Sequence, residues 1–437
     1  MRGYTGLTKR MPGSGAKQEL TARRSAGTLY PRAARVSLIA MTATAVLHFT
    51  SRGIVVPLSS LYAESLGADY VIIGLLGTAT ALALIVFSTV WGRVSDRLGR
   101  RKLVLIPSLL VMGLGYGLMA LAPDYRALLP LYVLVAVAQA GYDANSLALL
   151  GDLLDMKSSA RGRYIGMFRG LCSLGFGAMA FFAGTIAEWQ SLRAVFVVTA
   201  GLLLGAALVA FGVTEGKQPS PSSEFEATGG APPGGASARP AVAEGGSAPL
   251  PLPPLLVAAF AWSLMFGAVY AVWANYMVND LHYTTSQMSR LWAIASLSEF
   301  PLMVVAGRLS DHIGRLPMLS LGFLAWALVF VGYLLLPQMP WIVLVQLVRG
   351  FAFSAFTATA MAYAAEVRSR GERGKVSGLY SSAGAIGSIL GAPLGGTMAQ
   401  LLGFRTMIAF NAIFIALGAV YLAIAARRWN RRSGHSV

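Results

Sequence analysis

The stretch Gly92-Arg93-Val94-Ser95-Asp96-Arg97-Leu98-Gly99-Arg100-Arg101-Lys102 lies between two long apolar runs. Read physically, it is a basic loop where a membrane helix stops in water on the cytoplasmic side. Gly92 and Gly99 allow a tight turn, Asp96 offers a carboxylate to cap a helix N-terminus or pair with a guanidinium, and the crowded cations resist passage through a bilayer. A decayed copy follows in the second half as Gly307-Arg308-Leu309-Ser310-Asp311-His312-Ile313-Gly314-Arg315. The Gly and Asp positions recur in register, while His312 stands in place of Arg97 and Leu316 in place of Arg101. The chain is therefore expected to be an internal duplication.

Composition agrees. Apolar residues make up 56% of the chain and charged residues 12%, and many apolar runs approach the roughly 20 residues that a helix needs to cross about 30 Å of hydrocarbon. The net charge of +17 would suggest nucleic acid in a soluble chain, but the cations gather in particular loops, as topology signals do. No nucleic-acid partner is expected; the lipid bilayer is. The single cysteine, Cys172, excludes an intramolecular disulfide and a cysteine metal cluster.

Residues 1–35 carry eight Arg and Lys against one acid, Glu19, and read as a disordered cytoplasmic tail followed by a signal anchor. Six apolar helices are expected at about Val36 to Tyr62, Tyr70 to Trp91, Leu103 to Ala122, Ala127 to Leu150, Arg163 to Glu188 and Leu192 to Val213, forming a bundle over 36–213. Residues 214–254, rich in Pro, Gly, Ser and Ala, read as a cytoplasmic linker. Six more helices, at about Leu255 to Val278, Ser286 to Ala306, Leu316 to Leu336, Trp341 to Ala365, Val376 to Leu401 and Arg405 to Ala426, form a second bundle over 255–426. A basic cytoplasmic tail, 427–437, ends the chain. Basic clusters at Lys157, Arg161 and Arg163, and at Arg368, Arg370, Arg373 and Lys375, join the opening loop on the inside, so both termini are expected in the cytoplasm.

The duplicated loop, twelve spans and a long central linker together resemble the major facilitator superfamily, over essentially the whole of Val36 to Ala426. The resemblance implies an all-α membrane protein whose two pseudo-symmetric six-helix bundles enclose a cavity that opens alternately to either side. It also implies that Asp96, Arg97 and Arg100 latch the cytoplasmic ends when the cavity faces outward. The plainer alternative is that the two copies, through Gly92, Asp96, Arg97, Gly99, Arg100, Gly307, Asp311, Gly314 and Arg315, only anchor topology.

No Gly-x-x-x-x-Gly-Lys-Ser/Thr phosphate loop occurs, so coupling to ATP is not expected and no cofactor is implied. Ion gradients or facilitated diffusion remain, and ionisable side chains inside the bilayer become the candidates. His48 and Arg52 share a face of the first helix, and Asp143 in the fourth helix falls at a depth similar to His48, with Arg52 about 6 Å further out. Gln139 shares the face of Asp143. These residues form a proton or substrate site, or a static ion pair. Glu299, in Ser296-Leu297-Ser298-Glu299-Phe300-Pro301, is a carboxylate in apolar surroundings and the leading proton carrier; otherwise it is a hydrogen-bonded packing residue. The Glu-x-Pro order resembles the eighth helix of sugar-efflux and some proton-symporting members of the superfamily. Arg349 in the tenth helix would hold an anion or a carboxylate, or snorkel to the interface. In the seventh helix Tyr270, Trp273 and Asn275 are cavity candidates within an aromatic stripe that begins at Trp262, a pattern that also serves packing.

Two features depart from drug exporters of the superfamily. The fourth helix has no central Arg, and the Gly and Pro pattern that antiporters carry in the fifth helix lies in the eleventh, around Gly391 and Pro393. His48, His282, His312 and His435 are far apart, so neither a metal site nor a catalytic triad is expected and the chain does not read as an enzyme. The tails look too short for the signalling domain of a sensor. The resulting expectation is a monomeric transporter in the plasma (inner) membrane that moves a small organic solute, coupled to protons. Efflux of a drug or sugar is preferred, because Arg52 to Pro57 and Tyr62 to Gly67 resemble such exporters. Uptake of a sugar, nucleoside or aromatic acid, or uniport, is the alternative.

Overall fold

In the computed structural model, residues 32–154, 161–214, 250–367 and 373–433 are described. Lys157, Arg368, Arg370, His435, most of the N-terminal tail and nearly all of the linker lie outside them. Twelve helices are long and apolar enough to cross a membrane. They are α1 (Arg32–Val55), α2 (Tyr70–Leu98), α3 (Lys102–Ala120), α4 (Leu128–Leu154), α5 (Arg161–Trp189) and α6 (Leu192–Ala210). The second set is α7 (Leu252–Tyr270), α8 (Thr285–Ile313), α9 (Arg315–Leu335), α10 (Trp341–Glu366), α11 (Arg373–Leu402) and α12 (Phe404–Ser433).

Local chemistry fixes several starts. Asp69 accepts from the Ile72 N–H at 2.8 Å at the head of α2, and Ser191 accepts from the Ala194 N–H at 3.1 Å at the head of α6. Thr284 and Gln287 form a reciprocal capping box on α8. Ile39, Leu208 and Leu417 remain strongly exposed, as side chains facing lipid must be.

Three departures from the sequence reading have physical causes. The first helix does not run on to Tyr62: α1 stops at Val55, the chain turns through Pro57, which has no N–H to continue a helix, and a short helix follows over Ser59–Ser65. The seventh stops at Tyr270, restarts over Trp273–Asn275 and widens to a π turn over Tyr276–Asp280; neither Gly nor Pro marks that break. Most of the basic stretch is not a loop. Helix α2 continues through Gly92 and Asp96 to Leu98, and Gly99 alone turns the chain, at φ 60°. Asp96 thus sits in the last turn of α2 rather than capping the next helix. Gly314 ends α8 in the equivalent place at φ 92°.

Packing repeats with a shift of six. The pairs α1·α5, α1·α6, α2·α4, α3·α4 and α3·α6 in the first set recur as α7·α11, α7·α12, α8·α10, α9·α10 and α9·α12 in the second. The same shift relates the two seams that join the sets, α2·α11 and α8·α5. Close approach is achieved by removing side chains. On α11, Gly387, Gly391 and Gly395 lie directly on the α7 backbone at Phe260, Leu264 and Ala268, with no room for a Cβ.

Candidate functional site

Hydrogen bonds between the two sets cluster away from the basic stretch, at what is here termed the distal end. On the α5·α8 seam the Ser289 hydroxyl accepts from the Gly184 N–H at 3.0 Å, and Glu188 accepts from the Ser286 N–H at 2.7 Å. On the α2·α11 seam Gln400 accepts from the Tyr70 N–H at 3.1 Å, and the Thr78 hydroxyl donates to the Ile389 carbonyl at 3.1 Å. Between the seams, Glu64 receives Asn275 Nδ2 at 2.6 Å, Asn279 Nδ2 at 2.8 Å and the Tyr70 hydroxyl at 3.1 Å. The hydrogen bonds that join the two sets thus gather at the distal end, and the space between the sets beyond them is termed the gap.

Just inside the distal closure is a cavity of about 210 Å³, with Ser59, Ser60, Thr80 and Tyr132 of the first set facing Tyr270 of the second. Further along the same helices from the cavity lie the ionisable candidates. The His48 ring is buried against Tyr142, with centroids 4.0 Å apart, and both of its nitrogens lack a hydrogen-bond partner. Arg52, a turn later and half-buried, acts electrostatically on His48, Tyr142 and Asp143. Asp143 is exposed and accepts a long bond from Gln139 at 3.4 Å. Among the described residues no Arg52–Asp143 ion pair forms within 4 Å, so a static pair does not describe this arrangement. Aligned by helix depth alone, the groups share a neighbourhood without closing on one another.

On the facing set, Glu299 is half-buried on α8, and its carboxylate has no hydrogen bond or ion pair among the described residues. Its backbone carbonyl accepts from the Ser354 hydroxyl at 2.9 Å, which ties α8 to α10 there. The charge that acts on it is Arg349. Arg349 does not snorkel: it is 3% exposed, and its guanidinium carbon lies 4.4 Å from the Trp292 ring, 4.8 Å from Tyr270 and 5.4 Å from Trp273. Placing an Arg at the centre of a span costs about 2.5–3.5 kcal/mol, and each desolvated cation–π contact returns about 1–2 kcal/mol, so three rings hold the charge without a carboxylate. Arg349 Nη1 donates to Gln346 Oε1 at 3.3 Å. Tyr270 and Trp273 therefore belong to one cluster with Arg349. Asn275, fully buried, is bonded instead into the distal closure through Glu64.

The two copies of the basic stretch differ. In the second, Arg315 meets Asp311 at 2.6 Å and Glu366 of α10 at 2.7 Å, and donates to the Ser310 hydroxyl at 3.0 Å. In the first, Asp96, Arg97 and Arg100 are exposed, and Asp96 has no hydrogen bond or ion pair among the described residues. Lys102 is engaged, donating to the Phe211 and Val213 carbonyls at 2.6 Å each. Sequence reasoning missed Glu64 as an interface group, having taken it as part of the Tyr62 to Gly67 stretch that resembles exporters. It also missed Glu366 and Gln346. An acid closing the apolar run of the tenth helix, and Gln-x-x-Arg spacing on one helical face, were the available signals.

Two six-helix sets related by one shift and joined along two seams define the architecture of a membrane transporter. The chain belongs to the MFS_1 like family of the major facilitator superfamily, whose model matches residues 38–412. It is 27% identical over 400 residues to the multidrug resistance protein MdtG of Enterobacter lignolyticus, an alignment that covers 86% of this chain and 88% of that one. It is 25% identical over 377 residues to a putative sugar efflux transporter of Deinococcus radiodurans, covering 84% and 90% of the two chains. Among solved structures it resembles a bacterial homolog of the human lysosomal transporter Spinster in an inward-facing, occupied conformation. The TM-score is 0.72 at 16% identity, covering 89% of this chain and 96% of that one, a likeness of fold.

Proposed function

We propose that this protein exports a small organic solute by alternating access in exchange for protons, with its basic end and both termini in the cytoplasm of a cell whose inner membrane it spans as a monomer. The observation that carries the reading is Glu299, a carboxylate held inside a span without hydrogen bond or ion pair and under the field of Arg349. Such a group changes charge at the cost of one proton. The protonated form is the one that a bilayer-depth site tolerates without a partner. The drug and sugar efflux named for the relatives supports export, and the concentration of cations at one end of the helices supports a cytoplasmic basic end.

In this reading the present conformation is open to the cytoplasm. Solute enters the gap between the sets, the sets rock about the α2·α11 and α5·α8 seams, and the Glu64 closure parts. Asp96, Arg97 and Arg100 then meet the facing set as the cytoplasmic end shuts. A proton arriving from outside resets Glu299, with His48, Arg52, Gln139 and Asp143 as the polar wall opposite. The test is transport in sealed, energised vesicles containing a pH-sensitive dye, comparing the native protein with Glu299→Gln over cationic drugs, sugars and aromatic acids. Proton movement opposite to solute in the native protein, lost in the variant, is expected. Protons and solute moving together would make it a symporter, and equal transport by Glu299→Gln would end the coupling role.

A further inference from the structure

Around Arg349 hydrogen-bond donors outnumber acceptors. The indole N–H groups of Trp273 and Trp292 are buried without a partner, and so is the amide nitrogen of Gln346. The Gln346 carbonyl oxygen is shared between Arg349 at 3.3 Å and the Tyr333 hydroxyl at 3.4 Å. Most of the guanidinium N–H capacity is thus unused, since Arg349 forms no ion pair among the described residues. Buried donors without acceptors each cost about 1–3 kcal/mol, so leaving several together is a cost that packing alone does not explain. What would satisfy them is an acceptor-rich, negatively charged group.

The approach to this cluster is flat and apolar. Trp262 stacks on Phe266 at 5.0 Å and on Phe356 at 4.6 Å, and Phe266 stacks on Tyr270 at 4.5 Å. The ladder climbs α7 for about 12 Å at 1.5 Å per residue, from the basic end towards Arg349. Trp262, Phe266 and Tyr270 are half-buried, and Phe356 is buried. Tyr270 lines the cavity between the sets, and its ring also packs on the guanidinium, 4.8 Å from the guanidinium carbon, so it links the cavity to the Arg349 cluster.

We infer that Arg349, Gln346, Trp273 and Trp292 form the head-group subsite for an organic anion, an aromatic carboxylate whose flat body lies along Trp262, Phe266 and Tyr270. The inference rests on the transporter reading above and names the substrate class for that same cavity. A cation is repelled by Arg349, and a neutral analogue adds no negative charge to the guanidinium beyond the field of Glu299.

The test uses the purified full chain in detergent, with binding of three probes of one shape measured by calorimetry: 2-naphthoate, neutral 2-naphthamide and cationic 2-naphthylmethylammonium. Naphthoate should bind at least about tenfold tighter than the amide, a difference of about 1.4 kcal/mol, and the cation weakest. Arg349→Gln should abolish the preference and Arg349→Lys restore part of it. Because Arg349→Gln removes a buried side chain, the double variant Trp273→Phe, Trp292→Phe makes the same point with aromatic rings kept over the guanidinium. It should weaken naphthoate about tenfold and naphthamide, which presents a single neutral acceptor oxygen, by less. Tightest binding by the cation, or an unchanged naphthoate preference in Arg349→Gln, overturns the subsite. The same probes in proteoliposomes separate the two readings. Transport of the cation but not of naphthoate defeats the anion subsite and leaves the transporter reading standing. Selective naphthoate binding that is lost in the variants, with no probe crossing, keeps the subsite and defeats export.

Discussion

Removing the Glu64 carboxylate should shift the protein away from the conformation described here. Glu64 accepts two bonds from the opposite set, Asn275 at 2.6 Å and Asn279 at 2.8 Å, besides the Tyr70 hydroxyl from its own set at 3.1 Å. Only the two that cross the interface are lost when the distal end opens. A hydrogen bond to a charged group contributes about 1.5–3 kcal/mol, but Glu64 is half-buried and water replaces part of that, so about 2–3 kcal/mol in total is the reasonable figure. That moves the balance between distally closed and distally open forms by about 30- to 150-fold in Glu64→Ala. Glu64→Gln, which keeps one acceptor oxygen, should move it less. Spin labels at Arg126→Cys and Gln338→Cys, two exposed positions on opposite sets at the distal end, report the separation by electron–electron resonance; Cys172→Ser removes the single native thiol. A new, longer distance population in Glu64→Ala is expected. An unchanged distribution in both variants would refute the idea that these bonds hold the distal end shut.

Asp96→Asn should slow transport severely while leaving the thermal midpoint where it is, because Asp96 bonds to nothing among the described residues in this conformation; normal transport rates would remove its latch role. Glu366→Gln should do the reverse, lowering the midpoint by about 1 °C for a loss of about 1 kcal/mol from the partly exposed Arg315 pair, seen by fluorescence-monitored melting. A midpoint drop for Asp96→Asn with none for Glu366→Gln would invert that assignment. Gly395→Val should destabilise by about 3 kcal/mol or more, since its side chain must enter the Ala268 backbone; full expression and a native melt would show that α7 and α11 are less tightly apposed than described.

The sequence made the architecture legible because lipid imposes a long, nearly pure signal. Apolar runs near 20 residues mark spans almost regardless of what they touch, and a basic stretch repeated in register marks the duplication. Local breaks were less readable. Pro57 ended α1 for a reason visible in its chemistry, whereas the π turn over Tyr276–Asp280 carries no such residue. The site was legible by depth and not by direction. Counting along helices put His48, Arg52 and Asp143 at neighbouring heights, but whether a guanidinium meets a carboxylate depends on rotation and inter-helix distance, which no single sequence states. Arg349 shows the same limit. Its position suited either an interface or a buried anion site, and only the three surrounding rings, contributed by α8 and by the two sides of the α7 break, decide between them.

The unequal fate of the two basic stretches has an evolutionary consequence. A duplicated gene begins with the same fitting at both ends of a symmetric machine, and either could have become the moving part. Here Arg315 is riveted to Asp311 and Glu366 within its own half, while the equivalent Asp96 is left free. The rivet needs only Asp311, Arg315 and Glu366, so His312 and Leu316 can stand where the first copy has arginines without loosening it. Two halves of one fold thus end in unlike fittings, one braced within its own bundle and one open to whatever meets it.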